Sequence, residues 1–224
     1  MKILYVTATV AEAEAFKNVR NLVTDGNRFR SGSLEIDLLI GGIGPVSTIY
    51  EMLKWINMNG SPDLAINGGI AGSFTEVLSN GDVVLPVSEC FADLGIEDHD
   101  EFITLSEAKL TNADEFPFVK GYLPGDEKII SRINSLKRVK SITVNTATGS
   151  GASIERLKRK YNPDIETMEG ASFFYLCRRE RIPFLALRAI SNRIEPRNRD
   201  NWNIKLALDN LTERLYEVFL TFDL

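Results

Sequence analysis

Short apolar runs recur along this chain, each stopping at glycine or at a lone polar side chain, and most are followed by a stretch with helical spacing. Ile3 to Ala8 reads as a buried strand and Glu12 to Val19 as a short helix. Leu34 to Ile40 is a strand that stops at Gly41-Gly42-Ile43-Gly44. Pro45 then suits a first helical position, and Val46, Ile49, Tyr50, Leu53 and Ile56 form an apolar stripe at three-to-four spacing. Asp63 to Asn67 is a further strand opening onto a glycine-rich turn at 68–72, and 81–86 is another. After these the pattern predicts helix over 126–136, strand over 140–145, helix over 154–161 and strand over 164–168. A helix, a strand over 183–190 and a last helix from about 202 to 219 complete it. Such alternation, with glycines at successive strand ends, predicts an α/β fold: one domain over 1–224, a three-layer α/β/α sandwich with a mixed central sheet. Residues 91–124 are rich in Asp, Glu, Gly and Pro without a steady period. They are expected to form a long excursion, serving as a lid or a subunit contact.

The composition narrows the partners. With 224 residues and 44% hydrophobic content the chain can bury one substantial core. Its 26 basic and 31 acidic residues give a net charge of −5, and its longest basic stretch is Arg156 to Lys160, so no nucleic-acid partner is expected. Cys90 and Cys177 stand far apart, which supports neither a disulfide framework nor a zinc site; no metal and no cofactor are expected, and the cytoplasm is the natural compartment. The apolar start is interrupted by Glu12 and Glu14 after about ten residues, where a membrane span needs about twenty, so it reads as a first strand.

Two polar groups stand where buried strands stop. Glu169 follows the run ending at Met168, and Asn192 follows the run from Pro183 to Ile190. Side chains at strand ends can share one rim of a sheet, where open α/β folds build ligand crevices. The glycine turns are ambiguous, since none has the GxGxxG register or a Walker lysine, and a lone glycine turn marks tight backbone geometry more often than a phosphate cradle. His99, the only histidine, lies in the acidic stretch 97–100 and reads as a solvated loop residue. There is no GxSxG elbow, so carboxylates must carry any acid-base work. Glu12, just past the first strand, is the best placed; its plain alternative is a first-turn glutamate favoured by the helix dipole.

These residues carry a resemblance. Glu12 after the first strand, GGIGPVS at 41–47, NGGIAGSF at 67–74, GDVVLP at 81–86, TMEG at 167–170 and RAISN at 188–192 occur in the order found in the purine nucleoside phosphorylase and methylthioadenosine/adenosylhomocysteine nucleosidase superfamily. The chain resembles that superfamily along nearly its whole length, and the stretch from Ser191 to Trp202 is similar to futalosine hydrolases, which release hypoxanthine from futalosine in menaquinone biosynthesis.

The resemblance implies a nucleoside phosphorylase-like fold, a small purine nucleoside as substrate and a homo-oligomer. It also implies roles for single residues. Glu12 falls on the carboxylate that polarises the attacking water, Met168 on the methionine that packs against the nucleoside, and Glu169 on the acceptor for the ribose hydroxyls. Gly69 and Ile70 fall among the substrate-binding residues. Asn192 stands where adenine-type nucleosidases carry an aspartate. An amide offers both a donor and an acceptor, which suits a 6-oxopurine; its plain alternative is a capping asparagine.

Arg193, Arg197 and Arg199 follow closely, as candidates for a substrate carboxylate or as a solvated loop paired with Glu195 and Asp200. Only Lys54 is cationic between residues 40 and 75, which favours water over phosphate as nucleophile. Another purine nucleosidase, a phosphorylase and a non-catalytic nucleoside-binding module remain alternatives.

Overall fold

The computed structural model describes residues 1–25, 28–99 and 101–223. In chain order its elements begin with β1 (Lys2–Thr7), α1 (Val10–Lys17), β2 (Val23–Asp25), β3 (Arg28–Ser31), β4 (Leu34–Ile40), α2 (Pro45–Asn59), β5 (Leu64–Ser73), β6 (Val83–Glu89), β7 (Gly95–Asp98) and β8 (Glu101–Thr104). They continue with β9 (Leu123–Pro124), α3 (Glu127–Ile130), β10 (Lys137–Thr143), α4 (Gly151–Tyr161), β11 (Ile165–Thr167), α5 (Gly170–Glu180), β12 (Phe184–Arg193) and α6 (Ile204–Phe222).

The main sheet runs β11-β10-β6-β12-β5-β1-β4-β3-β2. It is mixed: β1 is parallel to β4 and β5, and β5 to β12, whereas β12 meets β6 antiparallel. Alternation along β1 shows the layering. Ile3 and Tyr5 point into a core with α1 and α6, through Phe16, Leu211, Leu215 and Phe219. Leu4 and Val6 point the other way, into a core with α2 and α5 through Met52, Phe173, Phe174 and Cys177. This is the expected three-layer sandwich.

One pairing shapes the site. β11 is hydrogen-bonded in parallel to β10 and also antiparallel to the far end of β5, Ile165 opposite Ser73 and Glu166 opposite Gly72. Strands β5, β12, β6, β10 and β11 therefore close into a ring, which draws the ends of β5, β11 and β12 together.

Several expectations are corrected. The glycines at 68–72 lie inside β5 rather than in a turn, because Gly68 leaves room for the Tyr5 hydroxyl and Gly69 for the Glu12 carboxylate. The helix expected over 126–136 stops at Ile130. Ser131, Asn134 and Ser135 are poor helix formers, and Ile133 and Leu136 reach the core from irregular chain instead. The stripe on α2 is only partly buried: Thr48 and Met52 face the core, while Val46 and Tyr50 are 83% and 63% exposed. The excursion at 91–124 contains the β7–β8 hairpin and the short β9, which pairs with β6. Its fully exposed His99 lies near Asp98. Among the described residues, no helix is long and apolar enough to cross a membrane.

Candidate active site

A cleft of about 230 Å³ opens where β1, β5, β11 and β12 end, and Glu12, Ile70, Met168, Glu169, Asn192, Arg193 and Arg197 all line it. Gly69 stands behind the lining, against Glu12.

Glu12 is placed by the local chemistry of a helix start. Thr9 is the N-cap of α1, and its hydroxyl accepts from the Glu12 amide at 3.3 Å while the Glu12 side chain reaches back, a reciprocal capping box. Oε2 accepts from Ala8 N at 3.1 Å and from Thr9 N and Oγ1, both at 2.9 Å. Oε1 accepts only from Ile70 N, at 3.1 Å, so one of its lone pairs is left for a molecule in the cleft. A Cβ at position 69 would lie 2.7 Å from that oxygen, so the approach requires glycine. The capping alternative and the site reading describe one side chain: capping aims Oε1 at the cleft.

Glu169 occupies the N-cap position of α5 but makes no side-chain cap bond. Its Oε1 instead accepts from Gly44 N at 2.9 Å. Burial raises the Glu169 carboxyl above its ordinary value, and the Gly44 N–H and Arg188 act against that rise. Met168, partly buried, precedes it on the cleft wall.

Asn192 lines the same cleft from β12. The pairing of β12 with β5 slips between Ile190 and Asn192, a bulge of the kind that re-aims side chains beside sites. The amide is held locally, with Oδ1 accepting from Ser191 Oγ at 2.8 Å and Nδ2 donating to Arg193 O at 2.9 Å, which leaves one N–H and one lone pair. Arg193 turns to Glu76, with Nη2 to Oε1 at 3.2 Å, rather than pairing with Glu195 or Asp200. Glu195 accepts from Asn201 instead. The backbone of Arg197 is pinned by a bond from its N to Gly149 O at 3.1 Å, and its guanidinium lies 5.5 Å from the ring centre of Trp202. Glu169 and Asn192 do not come from adjacent strands: β11 and β12 both flank β5, and the ring closure brings them to one cleft.

The sequence reading missed Glu166, Thr148 and Trp202, all on the cleft wall. Glu166 accepts from Thr148 N at 2.8 Å and from its hydroxyl, and burial raises its carboxyl above the ordinary value. A charged residue inside the buried strand 164–168 was the available signal. Arg188 was also missed. It is 2% exposed, and its guanidinium bonds to Asn67 O and Leu187 O, each at 2.9 Å, and to the Asn67 side chain. Among the described residues no group of three or more His, Cys, Asp or Glu side chains converges as metal ligands do.

The family model described as the phosphorylase superfamily matches residues 2–222. The chain belongs to that superfamily. Among phosphorylase-superfamily relatives, a futalosine hydrolase of Acidothermus cellulolyticus is 30% identical over 221 residues, covering 94% of this chain and 87% of the relative. A 5'-methylthioadenosine/S-adenosylhomocysteine nucleosidase of Buchnera aphidicola is 27% identical over 199 residues, covering 82% and 77%. The superfamily fold is equally plain. A Helicobacter pylori nucleosidase of the latter type, solved with butyl-thio-DADMe-Immucillin-A, superposes with a TM-score of 0.79 over 98% of this chain and 97% of that one, at 17% identity. The relatives support a purine nucleosidase, an N-glycosidic hydrolase.

Proposed function

We propose that this chain hydrolyses the N-glycosidic bond of futalosine, releasing hypoxanthine, in menaquinone biosynthesis. The observation that carries the hydrolytic reading is the carboxylate-rich lining of the cleft. Carboxylates Glu12, Glu166, Glu169 and Glu195 line it together with the Asn192 amide, and its only lining cations among the described residues, Arg193 and Arg197, both belong to the 191–202 segment. Lys54 is exposed on α2 and lies 3.6 Å from Glu51, away from the glycines. A phosphate nucleophile needs a cation or a nest of N–H groups beside the ribose. Here the carboxylates hold the N–H groups of Ala8, Thr9, Gly44 and Ile70, which favours water as the nucleophile.

In this mechanism the free lone pair of Glu12 Oε1 orients water toward the anomeric carbon, and its charge stabilises the oxocarbenium-like ribose of the transition state. Glu169 accepts the ribose hydroxyls, Met168 packs on the nucleoside, and Gly69 and Ile70 form the strand against which it lies. The unused N–H of Asn192 meets the departing purine, whose electron density rises as the bond breaks. An amide cannot supply a proton, so the proton on the leaving base comes through water. A donor matches the exocyclic oxygen of hypoxanthine better than the amino group of adenine. This favours futalosine over the substrates named for the methylthioadenosine-type relatives.

The working form is proposed to be a homo-oligomer in the cytoplasm. Ile43 lines the cleft, and with the exposed Val46 and Tyr50 of α2 it offers an apolar contact face; both cysteines are unpaired and buried. The test is to incubate purified protein with futalosine, inosine and methylthioadenosine, with and without phosphate, and to chromatograph the released base. Hypoxanthine from futalosine without phosphate is expected. Adenine as the preferred product, or a strict need for phosphate, overturns the reading.

A further inference from the structure

Glu89 ends β6 as a fully buried carboxylate that the proposed mechanism does not use. Its two oxygens are the terminus of a chain of hydroxyls. Thr143 Oγ1 donates to Oε2 at 2.9 Å and Thr167 Oγ1 to Oε1 at 3.3 Å, and both threonines are themselves buried. Each hydroxyl has a single proton, so donating it to Glu89 leaves each free to accept. What they accept are the first N–H groups of α5: Gly170 N bonds to Thr167 Oγ1 at 3.2 Å and Ala171 N to Thr143 Oγ1 at 2.7 Å.

Both are among the unpaired first N–H groups of a helix, and that of Ala171, the second helical residue, is one an N-cap side chain ordinarily satisfies. The N-cap residue here is Glu169, and it caps nothing. A Cβ at position 170 would collide with Glu89 Oε1, so glycine is what lets the carboxylate lie against the helix head, where the helix dipole favours negative charge.

We propose that Glu89 is the positioning residue for Glu169: by fixing the Thr143 and Thr167 hydroxyls as the cap of α5, it releases the Glu169 carboxylate to meet Gly44 N and, on the functional reading above, the ribose hydroxyls. Burial lifts the Glu89 carboxyl to about 7, with neighbouring hydroxyls and Arg188 drawing it down. In its ionised form Glu89 accepts from both hydroxyls; an amide in its place keeps one accepting oxygen and sets an NH₂ donor against the other hydroxyl, where no donor is wanted.

The variants are Glu89→Gln and Thr143→Val, and the readout is the ratio of kcat/KM for inosine to that for 2'-deoxyinosine. If Glu89 directs Glu169, both variants lower that ratio by about tenfold, the scale of one hydrogen bond to a charged group. On a Glu169→Ala background Glu89→Gln then adds no further loss. A ratio equal to that of the parent protein, whatever the melting temperature, overturns the proposal. A crystal structure of Glu89→Gln decides the same question without any substrate. Glu169 displaced from Gly44 N supports the role, and an unchanged 2.9 Å contact refutes it. If the parent protein cleaves no nucleoside, the functional reading fails and the crystal structure alone judges Glu89.

Discussion

Gly44 N donates to Glu169 Oε1 at 2.9 Å, joining the turn after β4 to the head of α5 across 125 residues. The turn can offer that N–H because Gly44 has φ 87, a left-handed conformation that glycine adopts without strain. Nothing lies within 4 Å of where a Cβ would stand, so Gly44→Ala carries only the backbone penalty, about 1–3 kcal/mol at φ 87 and ψ 170. Replacing Glu169 with Ala should depress kcat/KM for every ribonucleoside by a similar factor, about tenfold or more, because the sugar hydroxyls are common to all. Gly44→Ala should reproduce that pattern more weakly. Steady-state kinetics on futalosine, inosine and methylthioadenosine check this, and a loss confined to one base would remove Glu169 from the sugar.

Glu12→Gln tests the water. The amide can keep its oxygen toward the three donors at Oε2, but its NH₂ then faces Ile70 N and presents protons to the cleft. The fold should persist with a cost near 1 kcal/mol, while hydrolysis falls at least about a hundredfold, the scale of lost acid-base assistance. Turnover near the parent rate, measured alongside thermal melting, would leave Glu12 as a cap alone.

Much of this site was legible because strand ends are legible. Glu12, Glu169 and Asn192 each follow an apolar run, and a polar residue in that place has few reasons to be there. What local pattern does not carry is which strands meet. The pairing of β11 with β5 joins segments about ninety residues apart, and without it Glu166 reads as one more strand residue rather than as a wall of the cleft. The stripe on α2 failed for a related reason: periodicity finds an apolar face but not what covers it, and Val46 and Tyr50 face outward. Glu89 ended an apolar strand just as visibly as Glu169 does. Its partners, Thr143 and Thr167, come from two other strands, so its burial could not be seen from its own neighbours.

That burial has a consequence for pH. The Glu89 carboxyl titrates near 4.5 when unperturbed and about 7 in the fold, raised by desolvation. Between those values the native protein holds a proton that the unfolded chain has released, so stability present below the lower value is lost as pH rises through the upper one. The full difference corresponds to roughly 3 kcal/mol. Glu89→Gln does not titrate. Its melting temperature should therefore gain on that of the parent protein between pH 5 and pH 8, and little above. A constant difference across that range in thermal melts would show that Glu89 keeps one protonation state.

Asn192→Asp should turn the preference of the site. The Asn192 Nδ2 donates to Arg193 O at 2.9 Å, and a carboxylate oxygen in its place is repelled by that carbonyl, so the side chain must rotate. It also loses its donor toward the exocyclic oxygen of hypoxanthine. The ratio of hypoxanthine-nucleoside to adenine-nucleoside cleavage should fall by about tenfold or more, measured as paired kcat/KM values. An unchanged ratio would mean that another group reads the purine.

Arg197 remains the better of the two cleft arginines for a substrate carboxylate. Arg193 pairs with Glu76, which does not line the cleft; that exposed pair is worth little, but it engages part of the guanidinium. Arg197 makes no ion pair within 4 Å among the described residues, its backbone is tied to Gly149, and Trp202 supports its planar head. A guanidinium so placed can bind both oxygens of a carboxylate. Arg197→Ala should then lower kcat/KM for futalosine by about tenfold or more while sparing the slower cleavage of inosine, which has no carboxylate to bind. Arg193→Ala should change neither substrate by more than about twofold. Equal losses on futalosine and inosine in the Arg197 variant would instead assign that side chain to holding the 191–202 segment against the cleft. Loss of neither would leave Arg197 as part of the solvated rim, with the carboxylate bound elsewhere.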